Sequence, residues 1–278
     1  MARKLKVACI QLCAGQNVQD NIDIADKHIR EAAAAGAQLI VTPEQTALME
    51  LAGEALFENI YEQQDCPAFA HFKALAKELE VYLCVGSLAI LNNDDTVANR
   101  GFLIAPYGEV IGHYDKIHMF DIVLKNGDEY KESATYKAGK RASFTQTALF
   151  GFGHTICYDM RFPKLYNALA HMGAEIIVVP AAFTVPTGKA HWHVLLRARA
   201  IETGSFIVAA AQGGTHENGR KTYGHSVIIS PWGEIVAEMQ DVDDVPPVGY
   251  IMAEIDLDDV SEGRKNIPVL ENEQSFSV

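Results

Sequence analysis

The sequence is poor in the features that mark a disulfide scaffold, a nucleic-acid binder or a membrane protein. Only five cysteines occur in 278 residues: Cys9, Cys13, Cys66, Cys84 and Cys157. Their number is odd, their spacing is wide and no CxxC pair is present, which excludes the usual zinc-ribbon and thioredoxin patterns. Reduced thiols in a cytoplasmic protein fit this usage better than a disulfide framework. Positive charge is also scarce. Lys and Arg total 23 against 36 Asp and Glu, a formal charge of −13. No basic run exceeds Gly139-Lys140-Arg141 or Gly219-Arg220-Lys221, so the clustered cations that bind phosphate backbones are missing and no nucleic-acid partner is expected. An acidic chain that handles an acidic substrate needs a local Arg or Lys in its pocket. No apolar stretch reaches the roughly 18 residues of a membrane span. The apolar run after Arg3 and Lys4 ends at Gln11 and reads as a strand, not a signal segment.

What is present is a globular balance, 49% hydrophobic and 21% charged, with strand-like and helix-like stretches alternating. Leu5 to Leu12, Gln38 to Val41, Val81 to Ile90 and Val97 to Ala105 read as strands. Asp20 to Ala35 reads as a helix, with Ile22, Ile29 and Ala33 at helical spacing and Gly36 as its C-cap. Pro67 to Glu80 is a second helix, with Pro67 in its first turn. Pro106-Tyr107-Gly108-Glu109 turns the chain back into Val110 to Ile117. Ser143 to Phe150 and His154 to Cys157 are predicted strands joined at Gly151-Phe152-Gly153. A helix starts near Pro163, Ile176 to Val179 is a strand, Lys189 to Glu202 a helix and Phe206 to Ala211 a strand. Ser226 to Ile229 and Ile235 to Glu238 flank Pro231-Trp232-Gly233, and Tyr250 to Ile255 is the last strand. Helical and tight-turn connections together predict two mixed sheets with helices outside, an α/β fold. No linker or composition break divides the chain. One domain over residues 1–278 is expected, with 266–278, polar and without helical period, as a C-terminal tail.

Three polar residues close apolar strands, where α/β folds place ligands. They are Glu44 after Leu39-Ile40-Val41, Lys116 after Val110-Ile111-Gly112-His113, and Cys157 after Thr155-Ile156. Each has an ordinary reading as an ion-pair partner, a solvated lysine or a small core residue. Cys157 stands out because it sits at a strand-to-helix junction, where a helix N-terminus lowers a thiol pKa and free N–H groups hold an oxyanion. At a pKa near 8.5 only about 3% of a thiol is ionised at pH 7, so a nucleophile there needs a base or a cation beside it. Glu44 would take the proton and Lys116 would hold the developing negative charge. No metal is expected: His191 and His193, at i and i+2, point apart on a helix. His154, three residues before Cys157, faces the other side of a strand. Gly151-Phe152-Gly153 and Gly213-Gly214 read as turns, since no GKS/T or GxGxxG follows a strand. Arg199 and Glu202, one turn apart, are an expected structural pair.

Taken in order, Val41-Thr42-Pro43-Glu44, Asp115-Lys116-Ile117-His118-Met119-Phe120-Asp121 and Ile156-Cys157-Tyr158-Asp159-Met160-Arg161-Phe162-Pro163 resemble the three signature motifs of the nitrilase (carbon–nitrogen hydrolase) superfamily. Gly188 to Glu202, Tyr223-Gly224-His225-Ser226 and Pro231-Trp232-Gly233 extend the resemblance over about residues 5 to 262. It implies a four-layer α-β-β-α sandwich, no cofactor, and a Glu-Lys-Cys triad. Glu44 matches the general base, Lys116 the oxyanion stabiliser and Cys157 the nucleophile. The backbone N–H of Tyr158 completes the oxyanion hole. Glu132 matches a second glutamate that orients the lysine, with Glu129 as the alternative. A homodimer or higher homo-oligomer is also implied.

Cys157 to Pro163, Ala190-His191-Trp192 and Thr222 to Ser226 look most like the deaminated glutathione amidase and ω-amidase branch. The implied activity is metal-independent hydrolysis of a small carboxylate-bearing linear amide to an acid and ammonia through a cysteine thioester. Action on α-ketoglutaramate, N-carbamoyl amino acids or nitriles is the alternative, and an inactive ligand-binding relative is the non-enzyme alternative. Arg161, four residues after Cys157, is a candidate ligand for a substrate carboxylate or else a structural partner of Asp159. Phe183 and Thr184 are candidate pocket walls. His193, where an acidic residue often follows Trp, and Lys189, in place of a common Pro, depart from the pattern and bear on substrate preference more than on reaction type.

Overall fold

A computed structural model describes residues 2–50, 52–123, 127 and 129–277. Five strands, β1 (Lys4–Gln11), β2 (Leu39–Val41), β3 (Tyr82–Leu91), β4 (Val97–Ile104) and β5 (Val110–Asp115), lie side by side in chain order, and a short strand, Tyr61–Glu62, also pairs with β3. Six others, β6 (Ser143–Gln146), β7 (Gly151–His154), β8 (Ile176–Val178), β9 (Phe206–Ala209), β10 (Val227–Ile229) and β11 (Ile235–Glu238), form a second sheet, also in chain order. The last strand, β12 (Gly249–Asp256), returns to the first sheet and pairs antiparallel with β1, Lys4 opposite Asp256 and Gln11 opposite Gly249.

Parallel neighbours cannot be joined by a hairpin, so each parallel pair is crossed over by a helix. Helix α1 (Val18–Ala34) links β1 to β2, and α2 (Pro67–Leu79) lies between β2 and β3. In the second sheet α3 (Pro163–His171) links β7 to β8, and α4 (Val185–Thr203) links β8 to β9. A fifth helix, α5 (Asp258–Asn266), follows β12. The Asn17 side chain caps α1 by accepting from the Gln19 and Asp20 N–H groups, and Gly36 takes a positive φ just past its end.

The alternation of side chains across each strand separates three cores. Leu5, Val7 and Cys9 of β1 meet Phe152, Ile176, Val178 and Val208 of the second sheet, so the two sheets pack face to face. Ala8 and Ile10 point the other way and bury against Ile22, Ile29 and Phe72 of α1 and α2. Ile177, Ile207 and Ala209 bury against Leu169, Trp192 and Leu196 of α3 and α4. The result is the expected α-β-β-α layering.

Several local expectations are corrected. Gly151-Phe152-Gly153 is a strand, not a turn; the reversal lies at Thr147–Phe150, where the Thr147 hydroxyl accepts from the Leu149 and Phe150 N–H groups. The glycines are there for close packing: a Cβ on Gly151 would run into the Gly173 carbonyl. The segment from His154 to Cys157 is accordingly not a strand of its own, and Cys157 opens a 3₁₀ turn, Cys157–Arg161. Gly213-Gly214 lies in a strand, Gly213–Thr215, paired with Lys221–Tyr223. The α4 helix begins at Val185, four residues before the expected start, with Pro186 in its first turn. Arg199 and Glu202 do pair. His191 and His193 take separate partners, Arg161 and Glu238.

Candidate active site

Strand β2 lies inside the first sheet and β7 next to the edge of the second, and their C-terminal ends deliver Glu44 and Cys157 to one place. Lys116 comes from the end of β5. The exit from β2 is held tightly. A Cβ on Gly86 of β3 would collide with the Thr42 and Pro43 carbonyls, so only glycine lets β3 pass beneath the Glu44 turn. The Gln212 amide donates to the Glu44 and Gln45 carbonyls, both at 3.1 Å. Gln45 and Cys157 both sit at positive φ, 55° and 49°. Backbone strain of this kind at non-glycine residues persists only where surrounding structure enforces it.

Lys116 is buried between two carboxylates. Its ammonium donates to Glu44 Oε1 at 2.8 Å and to both Glu132 oxygens at 2.9 and 3.0 Å. Glu132, and not Glu129, therefore reaches the lysine; Glu129 stands on the exposed strand Glu129–Lys131. Asn99 donates to Glu44 Oε1 at 2.9 Å and to Glu132 Oε1 at 3.1 Å. The Ala182 N–H donates to Glu44 Oε2 at 2.9 Å, and the Phe120 N–H to Glu132 Oε2 at 2.7 Å.

These contacts set the protonation states. Burial opposes the Glu44 charge, but the Lys116 ammonium and the hydrogen bonds to the carboxylate outweigh it and hold Glu44 below the usual carboxylate range. Burial likewise opposes the Lys116 charge, yet Glu132 and Glu44 hold it well above the usual lysine value. Burial pushes the Cys157 thiol up, and the Glu44 carboxylate adds to this against the opposing pull of Lys116. The expectation of a lowered thiol pKa at the helix N-terminus is thus reversed, because the sulfur is shut away from water and faces a negative charge. The site holds a neutral thiol, an ionised carboxylate and a cation beside that carboxylate.

The turn that carries Cys157 is fastened by Asp159, which is fully buried. One Asp159 oxygen accepts from the Tyr114 hydroxyl at 2.8 Å and the Ile156 N–H at 2.9 Å. The other accepts from the His118 N–H at 3.1 Å and lies 2.6 Å from His118 Nδ1. Asp159 thereby ties the Cys157 turn to the loop after Lys116 and is not a partner of Arg161. The Tyr158 N–H donates to no other described group, as befits the first turn of a helix.

Glu44, Lys116, Glu132 and Cys157 open into a cavity of about 190 Å³. Phe183 and Thr184 line it, together with Gln45, Phe120, Tyr130, Thr187 and Arg220. Arg161 does not line it. Its guanidinium lies 5.3 Å from the Phe183 ring centre and 5.7 Å from that of Tyr158, beside His191. Sequence reasoning missed Asn99, Ala182 and Arg220. Asn99 carried a weak signal, an amide in the middle of the strand Val97–Ile104, where Asn is disfavoured. Ala182 acts through its backbone, which leaves no trace in the sequence.

A model of the carbon-nitrogen hydrolase family matches residues 6–265. The chain belongs to this family and is a hydrolase of carbon–nitrogen bonds other than peptide bonds. It is 38% identical to a deaminated glutathione amidase of Yersinia enterocolitica over 99% of this chain and 95% of that one. It is also 38% identical to a probable hydrolase nit2 of Schizosaccharomyces pombe, over 95% of each. Among solved structures it resembles Saccharomyces cerevisiae Nit3, described as a member of branch 10 of the nitrilase superfamily, with a TM-score of 0.85 and 27% identity over 98% of this chain and 96% of that one. It also resembles the Caenorhabditis elegans NitFhit protein, with a TM-score of 0.87 and 31% identity; 98% of this chain matches, spanning 65% of that one.

Proposed function

We propose that the chain is a metal-independent amidase that cleaves small carboxylate-bearing linear amides of the deaminated glutathione type through a Glu44-Lys116-Cys157 triad. The observation that carries this is one lysine buried between Glu44 and Glu132 at the cavity that holds a neutral thiol. Glu44 takes the Cys157 proton as sulfur bonds to the amide carbon. The carbonyl electron pair moves to oxygen, which Lys116 and the Tyr158 N–H hold. Glu44 then gives its proton to the nitrogen as the C–N bond breaks, leaving a thioester. Water attacks the thioester while Glu44 takes its proton. Collapse expels the sulfur, to which Glu44 returns the proton. Glu132 and Asn99 keep Lys116 and Glu44 in place throughout. Phe183 and Thr184 wall the acyl half of the substrate. Arg161 lies outside the cavity, over the Phe183 ring and beside His191, and backs that wall instead of meeting the substrate.

A primary amide such as α-ketoglutaramate releases ammonia, whereas a secondary amide such as deaminated glutathione releases an amine, so both products have to be read. The deciding assay compares deaminated glutathione, α-ketoglutaramate, an N-carbamoyl amino acid and a simple nitrile, with and without prolonged chelation. The 2-oxo amides are expected to be turned over, unaffected by the chelator. Turnover confined to the carbamoyl compound or the nitrile would move the enzyme to another branch, and no turnover at all would favour an inactive binding relative.

The same reading makes the chain one domain with residues 266–278 as a tail, assembled as a homodimer or higher oligomer. The family match over residues 6–265 supports the first part. Exposed Val194 and Ile201 on α4, with exposed Trp232 alongside, support the second. Light scattering at micromolar concentration is expected to give at least twice the chain mass; a monomer there would sink the oligomer. Five free thiols support a reducing compartment, the cytoplasm, which cell fractionation checks. No described helix is long and apolar enough to cross a membrane.

A further inference from the structure

Arg220 has no part in the chemistry above, and its surroundings differ from those of other cations that are buried or half-buried. Lys116 is shared by two carboxylates. Arg199 donates to the Met160 carbonyl and to Glu202. Arg264 donates to the Thr203 and Ala174 carbonyls and the Ser205 hydroxyl. Arg220 lines the cavity beside Cys157, with its plane 5.7 Å from the Tyr130 ring centre. Its Nη2 donates to the Ala182 carbonyl at 2.8 Å. Its Nε is shut off from solvent with no acceptor, and no carboxylate among the described residues pairs with it. Native structures seldom leave such a donor unmet, and an exception of this kind calls for a missing partner. A guanidinium on a cavity wall with no carboxylate partner is suited to a carboxylate, which its planar fork holds on two bonds.

Ala182 gives the direction. Its N–H holds Glu44 Oε2 and its carbonyl holds Arg220, so a single residue ties the base to the cation. In the proposed sequence Glu44 hands its proton to the departing nitrogen, so the amine half of the substrate lies on the side of Glu44. The oxygen lies toward Lys116 and the Tyr158 N–H, and Arg161 stands by the turn of the nucleophile itself. A cavity of about 190 Å³ is too small to enclose an acyl group and a peptide together. The amine half then extends past Glu44 toward half-buried Arg220 on the cavity wall.

We propose that Arg220 is a specificity residue that binds a carboxylate on the amine half of the substrate. The amide it favours is secondary, with a leaving group that ends in a carboxylate as a short peptide does. This deepens the amidase reading and rests on it. The test is a cycle of two enzymes and two substrates. The substrates are deaminated glutathione and the same molecule with its C-terminal carboxylate converted to a carboxamide; the enzymes are wild type and Arg220→Gln. The readout is kcat and KM for amine release.

For wild type, the carboxamide is expected to lower kcat/KM about 10- to 100-fold, mostly through KM, the worth of a charge-assisted pair. Arg220→Gln is expected to lose a similar factor on the carboxylate substrate and to distinguish the two substrates less than about threefold. Arg220→Lys is expected to recover part of the discrimination. A wild type indifferent to the carboxamide overturns the proposal without any variant, so a variant that fails to fold does not protect it. Equal loss on both substrates makes Arg220 a strut for Ala182 and also overturns it. Turnover of α-ketoglutaramate but of neither secondary amide sinks the proposal while leaving the amidase standing. Turnover of none of the three removes the amidase reading itself.

Discussion

Cys157→Ala is expected to remove turnover on every amide the enzyme accepts, by a factor on the order of 10⁴ to 10⁶ in kcat, the range seen when a nucleophile is deleted from an intact acid–base site. The reason is specific to this geometry. Glu44 stays ionised and Lys116 stays charged, but neither forms a bond to carbon, and the thioester that divides the reaction into two easier steps cannot form. The fold is expected to survive, because the change removes a buried sulfur whose ionisation the site already opposes. The melting temperature should therefore move by no more than a few degrees. Two measurements decide the matter. Rapid quenching of wild type with substrate, followed by intact mass, should show an acyl adduct that the variant lacks. Steady-state release of amine or ammonia should vanish. A variant that keeps a tenth of wild-type kcat would show that the attacking atom is not this sulfur.

The alternation of strands and helices was legible because buried faces recur at periods of two and 3.6. Most elements fall within two residues of their expected bounds, and the expectation failed where glycines serve packing. Gly151 and Gly153 look like a turn in sequence, yet they are strand residues that let a neighbouring carbonyl and the Leu169 side chain come close. The four-layer order was not in the periodicity. It came with the resemblance, since no local pattern says which face of β1 meets the second sheet. Glu44, Lys116 and Cys157 were each visible as polar residues closing apolar strands, but their meeting depends on contacts across long stretches of chain, 72 residues between Glu44 and Lys116 alone. The direction of the thiol pKa was misjudged for the same reason: the local helix terminus is overruled by burial and by a carboxylate from a distant strand. Asp159 shows it again. A sequence neighbour, Arg161, is the natural guess for its partner, whereas the fold gives it Tyr114 and His118, over 40 residues away.

Lys116→Met is expected to disable the enzyme and destabilise the fold, with an unusual dependence on pH. Removing the charge that faces the developing oxyanion should cost at least about 10²–10³ in kcat. It also leaves buried Glu44 and half-buried Glu132 side by side, with Asn99 and the Ala182 and Phe120 N–H groups as their remaining donors. In wild type Glu44 is held below the ordinary value, so its contribution to stability is present above the unfolded pKa of about 4.3 and is lost as pH falls through the folded value. Without Lys116, burial and the neighbouring carboxylate raise Glu44 instead. Its contribution is then present below about pH 4.3 and is lost as pH rises through the new folded value. The variant should be destabilised by about 3–5 kcal/mol at pH 8 and by at least about 1 kcal/mol less at pH 5, where Glu44 can take up a proton. Urea unfolding of both proteins at the two pH values measures this. An equal loss at both, or a larger one at pH 5, would mean that Lys116 is not what keeps Glu44 charged. Adding Glu44→Gln to Lys116→Met removes the stranded charge. The double variant should regain most of the stability lost at pH 8 without regaining turnover, a coupling between the two sites that a lysine acting only through packing would not produce.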